Sequence, residues 1–207
     1  MTLRLNGSNS GFTEVKAPAT AGSNTITLPT SNGSANQYLA NGSTAGELTY
    51  VTPPGSFTSY AIICDEKTSS TDAGTFTSGA HRTRDLNTEI ADPDGIVSIS
   101  SNQFTLGAGS YLIRAHAPAF KVDRHALRIK NVTDNTTVQD GITEHASSST
   151  STATRAIVVG RVTITASKAF EIRHKCQTTR SGNGLGVSAT TIADTSIYTV
   201  VEIYKEA

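Results

Sequence analysis

The feature that most constrains this chain is a series of short apolar runs after residue 57, each of strand length and separated from the next by a polar turn. The runs are SYAIICDEK (59–67), GIVSI (95–99), GSYLIRAHAPAF (109–120), HALRIKNV (125–132), TTVQD (136–140), RAIVVGRVTIT (155–165), KAFEIRHKC (168–176) and SIYTVVEIYK (196–205). Several alternate with period two. Phe170, Ile172 and His174 fall on one face of their run and Glu171, Arg173 and Lys175 on the other, while Tyr111, Ile113 and Ala115 alternate with Leu112, Arg114 and His116. That is the pattern of half-buried antiparallel strands, and eight such runs without a persuasive helical stripe predict an all-β sandwich. Only RTRDLNTEIA (82–91) can pass for a helix, and Asp92-Pro93-Asp94-Gly95 then predicts a turn.

Residues 1–56 differ in kind. They carry only Arg4, Glu14, Lys16 and Glu47 as charges, yet hold four of the six prolines and seven of the 17 glycines. Short β-like pieces (LRL, FTEVKAP, NTITLP, QYLA, ELTYV) alternate with Gly-Ser-Asn clusters. Asn-Gly, the dipeptide suited to type I′ hairpin turns, begins at Asn6, Asn32 and Asn41. With so few large apolar side chains, a lone copy cannot offset the entropy of ordering about fifty residues, so the segment is expected to be flexible or packed against other chains. Pro53-Pro54-Gly55 marks a boundary, which predicts an extended β-rich segment over 1–56 and a sandwich domain over 57–207.

Charge narrows the partners. Seventeen Lys and Arg against 17 Asp and Glu leave no basic excess to displace counterions from nucleic acid or lipid headgroups. The apolar runs are too short to span a bilayer as a helix, and the opening MTLRLNGSNSG lacks the apolar stretch of a secretory signal. Cys64 and Cys176 stand in no metal-binding spacing and are expected to be free, structural thiols.

The candidate chemistry thins out on inspection. His116 and His125 flank Asp123, but Pro118 stands where a cupin-type site would need its second metal ligand. The 23 serines include no Gly-x-Ser-x-Gly elbow. Gly182-Asn183-Gly184-Leu185-Gly186 lacks the helix and the Lys-Ser/Thr of a phosphate loop and is expected to be a long flexible hairpin loop. Asp92-x-Asp94-Gly95 has no continuing ladder of calcium ligands. No enzyme, metal or cofactor is therefore predicted. The charges Arg82, Arg84, Asp85, Lys121, Asp123, Arg124 and Arg128 read either as solvated surface ion pairs or as bridges between subunits of an oligomer.

Two longer strings carry a resemblance. LRLNGSNSGFTEVKAPATAGSNTITLPTSNGSANQYLANG resembles the β-rich shaft segments of phage tail-fibre and other virion proteins. The strings RTRDLNTEI, SSNQFTLGAGSYLIRAHAPAFKVDRHALRIKNVTD, FEIRHKCQTTRSGNGLGV and YTVVEIYKE resemble the C-terminal head domain of such fibres. The order of Phe104, Gly109-Ser110-Tyr111 and the closing Tyr198–Tyr204 strand is similar to the trimeric jelly rolls of the tumour-necrosis-factor and complement globular-head superfamily. The resemblance implies an antiparallel jelly-roll head and a homotrimer on the outer surface of a phage particle. Its partners would be other virion proteins, reached through the N-terminal segment, and a host-surface glycan or envelope protein. The alternative is a purely structural capsid, neck or tail appendage.

Residues on both faces of the last run point to subunit contacts, with Tyr198, Val200, Ile203 and Tyr204 as candidates. Two stretches are long and polar enough to be recognition loops, Gly141–Thr154 and Gln177–Thr195. Glu144, His145, Gln177, Arg180 and Asn183 are their candidate ligand-binding residues, since glycans are held by amide, guanidinium and carboxylate groups on loops.

Overall fold

The computed structural model describes residues 3–6, 8–15, 18–20, 22–35, 37–51 and 57–206. The chain divides into two compact units, Met1–Pro53 and Pro54–Ala207. The Pro53-Pro54-Gly55 boundary expected from the sequence lies outside the described residues.

The first unit holds two hairpins. In one, β1 (Leu3–Asn6) pairs with β2 (Phe12–Val15); in the other, β3 (Tyr38–Asn41) pairs with β4 (Leu48–Val51). No described residue of this unit is buried, and Leu3, Leu5, Phe12, Val15, Ile26, Leu28, Tyr38 and Leu39 all lie open. Two-stranded hairpins without a covered face are marginal in water, so what holds them is local, such as the Arg4 guanidinium 3.7 Å above the Phe12 ring. NTITLP forms no strand and contributes only a parallel bridge from Thr27 to Glu47. The type I′ expectation also fails at Asn41-Gly42. The connection runs on to Glu47, whose carbonyl accepts the Gly42 N–H at 2.7 Å, and the left-handed residue is Gly46 with φ of 87°. Asn32-Gly33 joins no strand pair, and Gly7 lies outside the described residues.

The second unit is an antiparallel two-sheet sandwich. One sheet runs β13 (Ala153–Ile164), β10 (Gly109–Phe120), β15 (Thr195–Glu206), β5 (Phe57–Thr68), β7 (Thr88–Ala91). The other runs β12 (Thr136–Ala146), β11 (Asp123–Asn131), β14 (Lys168–Cys176), β9 (Gln103–Leu106), β8 (Val97–Ser100), with β6 (Arg82–Thr83) also pairing with β14. The pairings nest: β11 with β12, β10 with β13, β9 with β14 and β5 with β15. A long antiparallel ribbon folded over onto itself produces this nesting, and it is the jelly roll.

Alternation places the core. Ile63, Tyr111, Ile113, Val158, Val201 and Ile203 of the first sheet meet Phe104, Leu106, Leu127, Ile129, Phe170 and Ile172 of the second, all nearly inaccessible to solvent. A smaller cluster of Phe76, Ala119, Val122, Ala146 and Cys176 closes one end. Residues 82–91 are not helical. Their apolar side chains are too few for a helical stripe, and the chain instead lays β6 and β7 along two different sheets. Gln103–Leu106 escaped the run-by-run reading because it is only four residues long, yet Phe104 stacks on Phe170 with centroids 5.6 Å apart.

Candidate interaction surface

Because β10, β15, β5 and β13 send alternate residues outward, their register lays side chains in rows across the outer face of the first sheet. One row reads Tyr60, Tyr204, Leu112, Arg161, and the next Ile62, Glu202, Arg114, Val159. A third carries Val200, His116 and Ile157. Phe57 packs on Tyr204 with ring centroids 5.0 Å apart, and Phe57, Tyr60 and Val159 remain 43%, 44% and 50% exposed. The sheet thus has an aromatic patch on its β5–β15 side. On its β13 side, a cleft of about 300 Å³ between β12 and β13 is lined by Ile142, Ile157 and Val159. Beside the cleft, Gly141 lets β12 approach β13 closely: a Cβ there would come within 2.5 Å of the Ile157 carbonyl oxygen. Between the two patches Arg114 faces Glu202 at 3.7 Å, and the Tyr204 hydroxyl donates to the same carboxylate at 3.0 Å.

The four candidate contact residues on β15 separate under this register. Val200 and Tyr204 belong to the outer rows, whereas Tyr198 and Ile203 are buried within their own chain. A β-bulge between Ile197 and Val200 breaks the alternation, so that Tyr198 and Thr199 both turn inward and the Tyr198 hydroxyl donates to the Thr71 carbonyl at 2.5 Å.

The two stretches expected to be loops are largely structured. Gly141–Ala146 continues β12, leaving only a short turn before β13. Glu144 and His145 therefore stand on a strand, opposite His125 and Arg124, and the His145 ring lies 3.8 Å from Asp123. Gln177 follows β14 and accepts from Arg124 at 3.2 Å. The glycine run is not a free loop. Phe76 and Arg180 exchange backbone hydrogen bonds of 2.9 and 3.0 Å, Leu185 donates to Gly74, Ala73 to Gly186 and Phe120 to Gly184. Arg180 and Asn183 serve this strap, since the Arg180 Nε donates to the Asn183 Oδ1 at 2.9 Å. Gly186 (φ of 150°) lies against Tyr198, where a Cβ would come within 2.4 Å of the ring. The five residues thus form two groups: Gln177 and His145 stand near Arg124, with Glu144 next to His145 and opposite His125, while Arg180 and Asn183 lie within the strap.

The charged cluster read from the sequence also divides. Arg84 is wholly buried rather than solvated: Nε donates to Thr199 at 2.8 Å and Nη2 to the Leu185 carbonyl at 2.9 Å, while burial pulls its value down to about 10 despite Asp65 and Asp85 nearby. Asp123 accepts from the Ser148 N–H at 2.9 Å and from the Thr178 hydroxyl at 2.5 Å, bonds that lower its carboxyl and pin the turns around it. Arg128 pairs with Asp140 at 2.6 Å. Beside Arg84 lies a buried histidine pair, His125 Nδ1 and His174 Nε2, 2.9 Å apart, with His125 Nε2 held at 2.7 Å by Thr154. Burial first, then Arg84, pushes His125 down to about 4 and His174 well below the ordinary value, so both rings are neutral. Both cysteines are free and buried, Cys64 on β5 and Cys176 on β14, in different sheets.

No protein-family model and no curated protein matches the chain. Among solved structures it is similar to the globular domain of zebrafish complement 1qA protein (14% identity, TM-score 0.45, 71% of this chain and 96% of that one). It is also similar to Eiger TNF from S. frugiperda (12%, TM-score 0.47, 72% and 92%) and to PRD1 vertex protein P5 (15%, TM-score 0.42, 74% and 100%).

Proposed function

We propose that this protein is a self-associating jelly-roll head, assembled as a homotrimer on a phage particle and presenting its free surfaces to the host. The observation that supports self-association is the outer face of the β13-β10-β15-β5-β7 sheet. It carries two different apolar patches, the aromatic one of Phe57, Tyr60 and Tyr204 and the aliphatic cleft of Ile142, Ile157 and Val159. Different patches on opposite sides of one sheet suit a head-to-tail contact, in which the aromatic side of each copy enters the cleft side of the next, and a closed ring of such contacts satisfies every copy.

The virion setting rests on the resemblance of the sequence to fibre segments and heads. Three heads on one axis turn weak individual contacts with a host surface into firm attachment without new chemistry. The exposed, nearly coreless hairpins of residues 3–51 fit a segment that gains its burial from other chains. The test is a pair of variants, Tyr60→Lys and Val159→Lys, each placing an unpaired charge on one patch. Each should lower the particle mass to that of one chain while the far-ultraviolet β spectrum persists, and the wild-type protein should compete with phage for host adsorption where the variants compete poorly. Unchanged mass in both variants removes this face as the contact.

A further inference from the structure

The outer face of the second sheet carries a site of another character. Along β11 the outward positions are Arg124, Ala126, Arg128 and Lys130, so one small residue interrupts a line of long cationic ones. In register, Ala126 lies between Lys175 of β14 and Thr143 of β12. The pairing of Arg82 with His174 leads His81 toward Lys175 on the far side. The small side chain at Ala126 leaves a dimple of about 420 Å³, with Ala126 at its base and His81, Arg124, Lys175 and Asp140 among its polar lining.

Its charges are not cancelled. Asp140 is engaged by Arg128, and Glu171 is engaged by Arg173 and by the Thr83 hydroxyl at 2.8 Å. Among the described residues, neither Arg124 nor Lys175 has a carboxylate partner, and Arg124 is held by the amide oxygen of Gln177. The Nδ1 of His81 is buried with no hydrogen-bond partner among the described residues. Burial and then the neighbouring Arg128 and Lys175 hold His81 below its ordinary value, with Asp140 opposing and Arg173 adding to them.

We propose that this dimple binds an acidic sugar unit: a ring whose C–H face lies on Ala126 while its anionic substituent meets Arg124 and Lys175. Three features favour this class over a neutral sugar or a plain anion. The volume lies within the roughly 300–1,000 Å³ of small-molecule sites. The base is hydrocarbon, which a bare anion would not use. The free cations are two long side chains on adjacent strands, able to close on one carboxylate or phosphate from either side. The site gives chemical content to the host-surface reading above and rests on it for its purpose, but it lies on the sheet opposite the self-association face.

The test is calorimetric titration of the full-length protein with glucuronate, glucose 6-phosphate and glucose, alongside the variants Ala126→Leu and Lys175→Glu, with particle mass measured in parallel. Either acidic sugar should bind at millimolar concentration and weaken with added salt, and the tighter of the two identifies the anion. Glucose should bind at least tenfold more weakly. Ala126→Leu, which fills the dimple without changing charge, and Lys175→Glu should each cost at least tenfold while mass stays that of the wild type. Absence of binding by both acidic sugars, equal binding of glucose, or undiminished binding by Ala126→Leu overturns the proposal whatever the mass. A monomeric mass with intact acidic-sugar binding refutes the assembly instead.

Discussion

Acid should unfold this head through the buried histidine pair. An unfolded histidine titrates near 6.5, whereas His125 is pushed down to about 4 in the folded chain and His174 also lies well below its ordinary value. Both values are depressed, so the unfolded state binds more protons, and stability is complete above pH 6.5 and falls as pH drops toward 4. For His125 alone the loss is about 1.4 kcal/mol per pH unit over most of that window, or about 2 kcal/mol between pH 8 and pH 5, and His174 adds a loss of the same sign. His81 and His116 are lowered too, while Asp65, raised by burial, titrates in the opposite sense. Urea unfolding at half-unit steps from pH 8 to pH 5 measures the slope. His125→Gln should flatten it by about 1.4 kcal/mol per pH unit. The slope is the readout, so any general weakening by the substitution does not interfere. A wild-type stability independent of pH across this range, or a His125→Gln slope equal to the wild type, would refute the assignment.

Two other consequences concern the thiols and the strap. Burial pushes Cys64 and Cys176 up to about 11 each, so at pH 8 the folded protein should react slowly with a thiol reagent and the unfolded, unreduced protein should titrate two thiols per chain; rapid reaction when folded, or none on unfolding, contradicts this. Gly186→Ala drives a Cβ into the Tyr198 ring at a φ of 150° and should cost about 2–4 kcal/mol, read as a lowered thermal midpoint, and a midpoint within a degree of wild type would show that the strap yields freely.

Much of the sandwich was legible because alternation is a strong signal. GSYLIRAHAPAF and KAFEIRHKC coincide with β10 and β14, and the faces that carry Tyr111, Ile113 and Ala115 and Phe170, Ile172 and His174 are buried. The errors have local causes. A polar surface run such as GITEHA looks like a loop when its strand lies at a sheet edge with little burial, as β12 does. The strap is polar and glycine-rich yet held by backbone hydrogen bonds to residues about a hundred positions away, which no local pattern encodes. The bulge in β15 reversed the face of Tyr198, and Arg84 gave no sign that it would be enclosed. The rows of the outer face and the gap at Ala126 needed the cross-strand register, although the spacing of Arg124, Arg128 and Lys130 around a small residue was present in the sequence.

The most direct measurement of the central claim is the absolute mass of the full-length protein by light scattering at micromolar concentration. A mass three times the 21.6 kDa of one chain, falling to a single chain on Tyr60→Lys, is the predicted result. A wild-type mass of 21.6 kDa at that concentration would contradict it.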